Sequence, residues 1–376
     1  MNVEETWMNS ITIKGLAAIA QQPGPCLTLL VPGHHPGAPE GSQKTQLRTL
    51  VKNAQQQAAG VPAAWPTGFE SPVEEIANSL AEAGGPGFAV YRTADSVASV
   101  SFEGCPAKSV LASHPFVMPL LESAFAAQEL CVLGLSANHL RLFEYSDGTC
   151  RPLALPAGIP QNLAAAGHAH HGSQGENATP SGINAGNMGG IRFGTGGDRE
   201  NARDAMEHFC AAIDRGLRSL LNGRPLLLMG VKQEIAAYRR VSHYDAILHA
   251  EVDGNVETFT PARIATLAQQ AALAEYRRQG LLVRNEILEM RDRARTAQDV
   301  HEALKAAVEG RVHKLCVRGG TEVIGPLEPA LNPAGLPVGD LINAAVVETL
   351  RHGGEVYVLP PEQLAITESA SAILRY

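Results

Sequence analysis

No two of the six cysteines, Cys26, Cys105, Cys131, Cys150, Cys210 and Cys316, form a C-x-x-C pair. That absence excludes a zinc ribbon or a dithiol redox motif, and the spacing offers no disulfide frame. Most of the six lie in apolar runs, so buried, reduced thiols in a cytosolic protein are expected. A run of about 18 apolar residues is also missing, so no membrane span is expected. The opening MNVEETWMNS is acidic and has no apolar core, which argues against a secretory leader. Positive charge is in deficit, with 30 Lys and Arg against 38 Asp and Glu, a net of -8. Binding nucleic acid by bulk charge rests on neutralising many phosphates, so this balance excludes it and leaves room only for a local basic patch. The phosphate-binding G-x-x-x-x-G-K-[ST] loop, a strand-adjacent G-x-G-x-x-G, the G-x-S-x-G elbow and the H-E-x-x-H helix are all absent. There is no repeat of solenoid period.

What is present is a 376-residue chain, 45% hydrophobic, enough for roughly two or three domains with real cores. Ser10 is placed to cap a first helix running to Gln21. Cys26 to Pro32 (CLTLLVP) is an apolar run of buried-strand type. In QKTQLRTLVKNAQQQAA, Leu47, Leu50, Val51 and Ala54 recur at helical spacing. Ser71-Pro72-Val73-Glu74 is a capping box with Pro at the first helical position, opening a helix that stops at Gly84-Gly85. GFAVYRT, SVASVSF and AKSVLAS then read as strands and close a first α/β unit near residue 113. Two or three strands follow, with Asp147-Gly148 as a hairpin turn. From 157 to 196 the chain is rich in Gly, Asn, His and Ser, a loop far longer than ordinary connections and expected to order only on a partner. Ala202, Met206, Phe209, Ile213, Leu217 and Leu220 then mark a long amphipathic helix that ends at Asn222-Gly223. PLLLMGV is a strand, KQEIAAYRRV a helix, and Thr260-Pro261 starts a long helix to about Arg293. AQDVHEALKAAVEG and GDLINAAVVETLRHGG are helices among the strands VHKLCV, EVYVLP and AILRY. That alternation predicts a sheet covered by helices.

Four groups of residues have chemical potential. His168, His170 and His171 sit close enough to offer imidazoles to a metal, but no cysteine is near and the fourth ligand is missing, so no metal is assigned. FGTGGDREN (193–201) has the glycines of a phosphate cradle at a helix start. Asp198 and Glu200 would repel an anion there, and they suit an N-cap and a first turn. Arg277, Arg278 and Arg284 belong to the densest basic stretch, interleaved with Glu275, Glu286 and Glu289. It reads as a solvated face with helix ion pairs or as an RNA contact. His34 and His35 follow the first apolar strand in a loop.

Several of these phrases, in order, resemble the archaeo-eukaryotic class I release factor and Pelota family, and most of all its bacterial relatives. CLTLLVPGHH with its following helix is similar to the opening of the family's N-terminal domain. HPFVMPLLE (114–122) followed by CVLGLSANHLRLFEY resembles the approach to the middle domain. The Gly-rich loop running into a long helix resembles the loop that reaches the peptidyl-transfer centre. ASAILRY at 370–376, after GGEVYVLPPE, resembles the last strand of the C-terminal domain.

The resemblance implies an α/β fold of three release-factor-like domains, at 1–113, 114–223 and 224–376. The middle one would have a mixed sheet and a long helix, and the last would be an α/β/α sandwich of ribosomal-protein-like type. It implies a ribosome partner with tRNA or rRNA contact, no membrane and no cofactor. It also implies a GGQ tripeptide, whose amide helps place the attacking water. Here Gly196 and Gly197 match and Asp198 takes the third position, with Arg199 next. An ionised carboxylate only accepts hydrogen bonds, whereas the amide donates and accepts. Gln174 has a single adjacent glycine, and the codon-reading N-I-K-S tetrapeptide is absent. The expectation is a cytoplasmic ribosome-associated factor in rescue, stalling or hibernation that does not hydrolyse peptidyl-tRNA. The alternatives are an ester hydrolase using His168, His170 or His171 as general base, and a protein-interaction scaffold off the ribosome.

Overall fold

The computed structural model describes residues 4–8, 12–22, 24–33, 42–59, 70–83, 86–93, 96–166, 197–290, 294–332, 338–364 and 369–376. The chain forms two compact units, one of Met1–Gln128 with Ala272–Tyr376 and one of Glu129–Ala271.

In the first unit, strands β1 (Glu4–Met8), β2 (Cys26–Val31), β3 (Gly87–Arg92), β4 (Ser96–Phe102) and β5 (Lys108–Ala112) make a sheet in the order β1-β4-β3-β2-β5. Alternation along each strand sends side chains to opposite faces. Leu27, Leu29, Phe88 and Val90 pack on helices α2 (Ser42–Ala59) and α3 (Glu70–Ala83), through Leu47, Leu50, Val73 and Ile76. The neighbouring Cys26, Leu30, Ala89 and Tyr91 point the other way, onto Leu16 and Ile19 of α1 (Ile13–Ala20). The cap of α1 is Thr12, whose hydroxyl accepts from the Gly15 N–H at 3.1 Å. That replaces the expected cap at Ser10. Strand β1 does not announce itself in sequence, because EETWM has the polarity of an exposed segment. The short α4 (Leu121–Ala126) ends this part.

The C-terminal third supplies a second sheet, ordered β11-β16-β12-β15, from β11 (Thr296–Ala297), β12 (Val312–Arg318), β15 (Glu355–Leu359) and β16 (Ala370–Leu374). A small pair, β13 (Ile324–Gly325) and β14 (Gly339–Asp340), stands apart from it. Leu315, Val317, Val356 and Val358 face helices α8 (Val300–Val308) and α9 (Leu341–Arg351). Cys316, Tyr357 and Leu359 face Tyr276, Val283 and Ile287 of α7 (Pro261–Glu289). This is the expected α/β/α sandwich.

A single core joins the N-terminal and C-terminal thirds, with Leu16, Ile19 and Tyr91 in one cluster with Ala345, Val346 and Leu315. HPFVMPLLE latches them. The Phe116 N–H donates to Thr28 Oγ1 (3.1 Å), and Tyr91 donates to Phe116 O (2.9 Å). On the other side the Val117 N–H donates to Asn343 Oδ1 (3.0 Å), and Asn343 returns a bond to Pro115 O (2.9 Å). His114 Nε2 lies 3.3 Å from the buried Glu348 carboxylate. Arg351 donates to Glu348 (2.6 Å) and to the carbonyls of Ala20 (2.6 Å) and Gln22 (2.8 Å), which end α1. Burial pushes the Glu348 carboxyl up, but His114 and Arg351 outweigh it and hold it below its ordinary value.

The second unit is a mixed sheet, ordered β10-β9-β6-β7-β8. It comprises β6 (Leu130–Gly134), β7 (Arg141–Ser146), β8 (Thr149–Leu153), β9 (Leu226–Gly230) and β10 (Ile247–Asp253). β9 runs parallel to β6 and β10 parallel to β9, whereas β7 and β8 are antiparallel. Asp147 and Gly148 turn β7 into β8 with φ of 51° and 72°, the pair of positive values a type I′ turn needs. Helices α5 (Gly197–Leu221) and α6 (Lys232–Val241) cover one face through Phe209, Ile213, Leu217, Ile235 and Tyr238. The expected boundary after 223 therefore shifts, since β9 and β10 complete the middle sheet. No loop marks the change of unit, because the division falls inside the continuous helix α7. The first residues of the expected 157–196 loop are also packed. Ile159 is buried against Gly216, the Leu140 N–H donates to Gln161 O (2.8 Å), and the Leu163 N–H donates to Ala137 O (2.8 Å).

Candidate functional site

The long helix of the middle unit begins where the Gly-rich loop ends. Its backbone is helical from Gly197, so Asp198 and Arg199 stand within the first turn. Asp198, expected as the N-cap, thus lies just inside the helix. His168, His170, His171, Gln174 and Gly196 lie outside the described residues, as do His34 and His35. The described residues hold the root of the loop.

Two ion-pair nodes fasten that root. Glu207 receives Arg240, from the end of α6, and Arg203 at 3.2 Å, one turn back on α5. These hydrogen bonds, Arg240 first, hold its carboxyl below the ordinary range. Two turns on, Asp214 is 2% exposed. It accepts from Arg218 Nη2 (2.7 Å) and Nε (3.2 Å), from the Ser242 hydroxyl, from the His243 N–H (3.3 Å) and from the Tyr238 hydroxyl (3.4 Å). Burial pushes this carboxyl up, but Ser242, Arg218 and His243 together bring it below its ordinary value. With both oxygens occupied it has no lone pair free to take a substrate proton, so it holds α6 to α5. Sequence reading missed Asp214. The signal was a carboxylate between Ile213 and Leu217 on the apolar face of the helix.

The carboxyl ends of β6, β9 and β10 are where a parallel α/β sheet would bind a ligand. Here they are filled. A Cβ on Gly134 would come within 2.6 Å of Val256, and one on Gly230 within 2.8 Å of Leu135 O. Glu234 accepts from the N–H groups of Ala137 (2.9 Å) and Val231 (3.4 Å), and burial raises its carboxyl above the ordinary value. These glycines admit protein rather than phosphate.

Other candidate chemistry is closed off by packing. All six cysteines are buried, and burial pushes Cys26, Cys105, Cys210 and Cys316 each up to about 12, far from a thiolate at neutral pH. Among the described residues no group of three His, Cys, Asp or Glu is arranged to hold a metal ion. In the basic stretch, Arg277 is bidentate on Glu122 (3.0 and 3.1 Å) and Arg278 donates to the buried Glu275 (2.6 Å). Arg284 is half-buried, and its Nε has no partner among the described residues. The first two guanidinium groups are thus committed within their own unit.

Residues 130–311 match the model of the bacterial archaeo-eukaryotic release factor family 3. That span takes in the whole mixed sheet, the loop and α5. Over these residues the chain is similar to the bacterial archaeo-eukaryotic release factors. No curated protein matches it. Solved structures similar to it include Pelota of Archaeoglobus fulgidus, 10% identical over 98% of this chain and 94% of that one, with a TM-score of 0.34. A ribosome-bound archaeal Pelota is 11% identical over 98% and 95%, with a TM-score of 0.37. Dom34 of S. cerevisiae is 12% identical over 77% and 80%, with a TM-score of 0.34.

Proposed function

We propose that this protein is a cytoplasmic, ribosome-associated translation factor, acting in rescue, stalling or hibernation without hydrolysing peptidyl-tRNA. The observation that carries the reading is the family match across the middle unit, joined to the residue at the third position of its glycine pair. By the resemblance, Gly196 and Gly197 match the two glycines of the family's catalytic tripeptide, and Asp198 takes the place of its amide. A carboxylate offers the attacking water no donor, and it carries negative charge toward a phosphate-rich centre. At the start of α5 the same charge favours the helix, because the unpaired N–H groups of a first turn attract an anion. The partners on this reading are the ribosome and its RNA, with no cofactor.

Co-sedimentation of the full chain with ribosomes at moderate salt tests the association. Recovery in the ribosomal fraction from growing or starved cells is the expected result, and exclusion from both rejects it. Peptidyl-tRNA hydrolysis tests the absence of chemistry. The parent should release no peptide, and Asp198→Gln is the variant in which release would first appear. Hydrolysis by the parent, lost when His168, His170 and His171 are all changed to Ala, would establish the ester hydrolase instead.

A further inference from the structure

Helix α2 contains Lys44, Arg48 and Lys52 and no carboxylate at all, in a chain whose net charge is -8. Leu47, Leu50, Val51 and Ala54 bury one side of it against the first sheet. The opposite side is exposed and consists of Arg48 and Lys52 with Thr45, Thr49, Asn53 and Gln56 among them. Arg48 and Lys52 make no ion pair or hydrogen bond with any described residue. Five arginines of the other basic clusters are paired: Arg203 and Arg240 with Glu207, Arg218 with Asp214, Arg277 with Glu122 and Arg278 with Glu275. Like charges at i, i+4 repel on a helix, so folding gains nothing from this spacing.

We infer that the exposed face of α2 is a docking surface for the sugar–phosphate backbone of RNA. Phosphate oxygens are contacted by Arg and Lys and by the hydroxyl and amide side chains of Ser, Thr, Asn and Gln, and this face is built from those types alone. Arg48 and Lys52 lie one turn apart, a rise of about 6 Å, on the scale of the step between neighbouring phosphates. The absence of a carboxylate on the helix keeps negative charge off this face itself. Binding of this kind positions RNA without reading its sequence. The inference deepens the proposed ribosome association and rests on it for the source of the RNA.

The test uses the full chain and a fluorescent, mixed-sequence RNA hairpin, titrated by anisotropy over a salt series, with ribosome co-sedimentation in parallel. The variant is Arg48→Gln with Lys52→Gln, both exposed and both changed to a residue of similar helix propensity. The parent binds the hairpin, and in the variant the slope of log affinity against log salt falls by about 2, one for each phosphate no longer neutralised. Lys305→Gln, which removes an exposed cation flanked by Glu302 and Glu309 on α8, leaves the slope unchanged. A variant that binds like the parent overturns the inference, and so does an equal fall in slope from Lys305→Gln. A parent that binds polyglutamate and not the hairpin overturns it as well, assigning the face to an acidic protein. If the parent binds the hairpin through α2 but never sediments with ribosomes, the docking surface stands and the ribosomal reading falls.

Discussion

At the scale of single residues, two carboxylates, one buried and one half-buried, behave in opposite ways. Asp214 is saturated with donors and is held ionised. Asp214→Ala strands the Ser242 hydroxyl, the His243 N–H and the Arg218 guanidinium, and should cost about 3 kcal/mol, read as a lower urea midpoint. Because its folded value is depressed, its contribution is complete above the unfolded value near about 3.9 and is lost as pH falls through the folded one. The variant and the parent should therefore converge in stability below about pH 4. Asp340 is the reverse case. It caps α9 and accepts from the N–H groups of Val323 (3.2 Å) and Ile342 (3.1 Å), while its Oδ2 is buried without a partner among the described residues. Burial raises its carboxyl to about 6, with Glu322 adding to the rise. The folded state then binds this proton more tightly than the unfolded one, so stability declines as pH rises from about 4 toward 6. Asp340→Asn keeps the accepting oxygen and removes the charge. It should raise the melting temperature at pH 8 and do so less at pH 5; an equal gain at both would refute the assignment. Neither carboxylate's environment could be read in sequence. Asp214–Arg218 has the spacing of a surface pair, and the groups that bury it come from α6.

At the scale of elements, what the chain spells out is periodicity. Short apolar runs mark β2, β3 and β15, and the 3.6-residue pattern marks α2 and α5. The misses have local causes. β10 alternates between half-buried and exposed positions and carries an irregularity between Ile247 and Glu251, so it lacks a clean apolar face. The pairing of Arg278 with Glu275 is visible at i, i+3, whereas that of Arg277 with Glu122 joins distant segments. Sheet edges show another device that no pattern predicts. Among the described residues β15 has no strand beyond it, and the Tyr276 hydroxyl donates to Val356 O (3.1 Å) and accepts from the Val358 N–H (2.8 Å). At the edge strand β5 the Gln57 amide donates to Ser109 O (3.1 Å) and accepts from the Leu111 N–H (3.0 Å). Each side chain stands in for a missing strand and blocks pairing with another chain. Tyr276→Phe orphans two buried groups and should cost about 1–3 kcal/mol, with faster hydrogen exchange at the Val358 amide. Gln57→Ala, at an exposed edge that water can satisfy, should cost less. Equal losses would show that burial is not what sets the difference.

At the scale of the whole molecule, the resemblance to release factors was legible in short collinear phrases, but the assembly of the first unit was not. HPFVMPLLE resembles the approach to the middle domain, yet its backbone and His114 tie the first third to the last. That tie depends on Thr28, Asn343 and Glu348, residues far apart in sequence and of ordinary type. A fragment of residues 1–128 would expose the face of Ala89, Tyr91 and Val100 and should be insoluble alone. Co-expressed with 272–376 it should become soluble and co-purify, and a soluble monomeric 1–128 would contradict the shared core. The arrangement also sets an order of events during synthesis. The segments that complete the first core are separated by the entire middle unit, so the opening third must wait for the final strand to leave the exit tunnel. At about 5–20 residues per second that wait is on the order of ten to fifty seconds. Through that interval the newborn amino-terminal sheet has one bare apolar side, and chaperone occupancy should peak there and fall once Ala370–Leu374 has emerged.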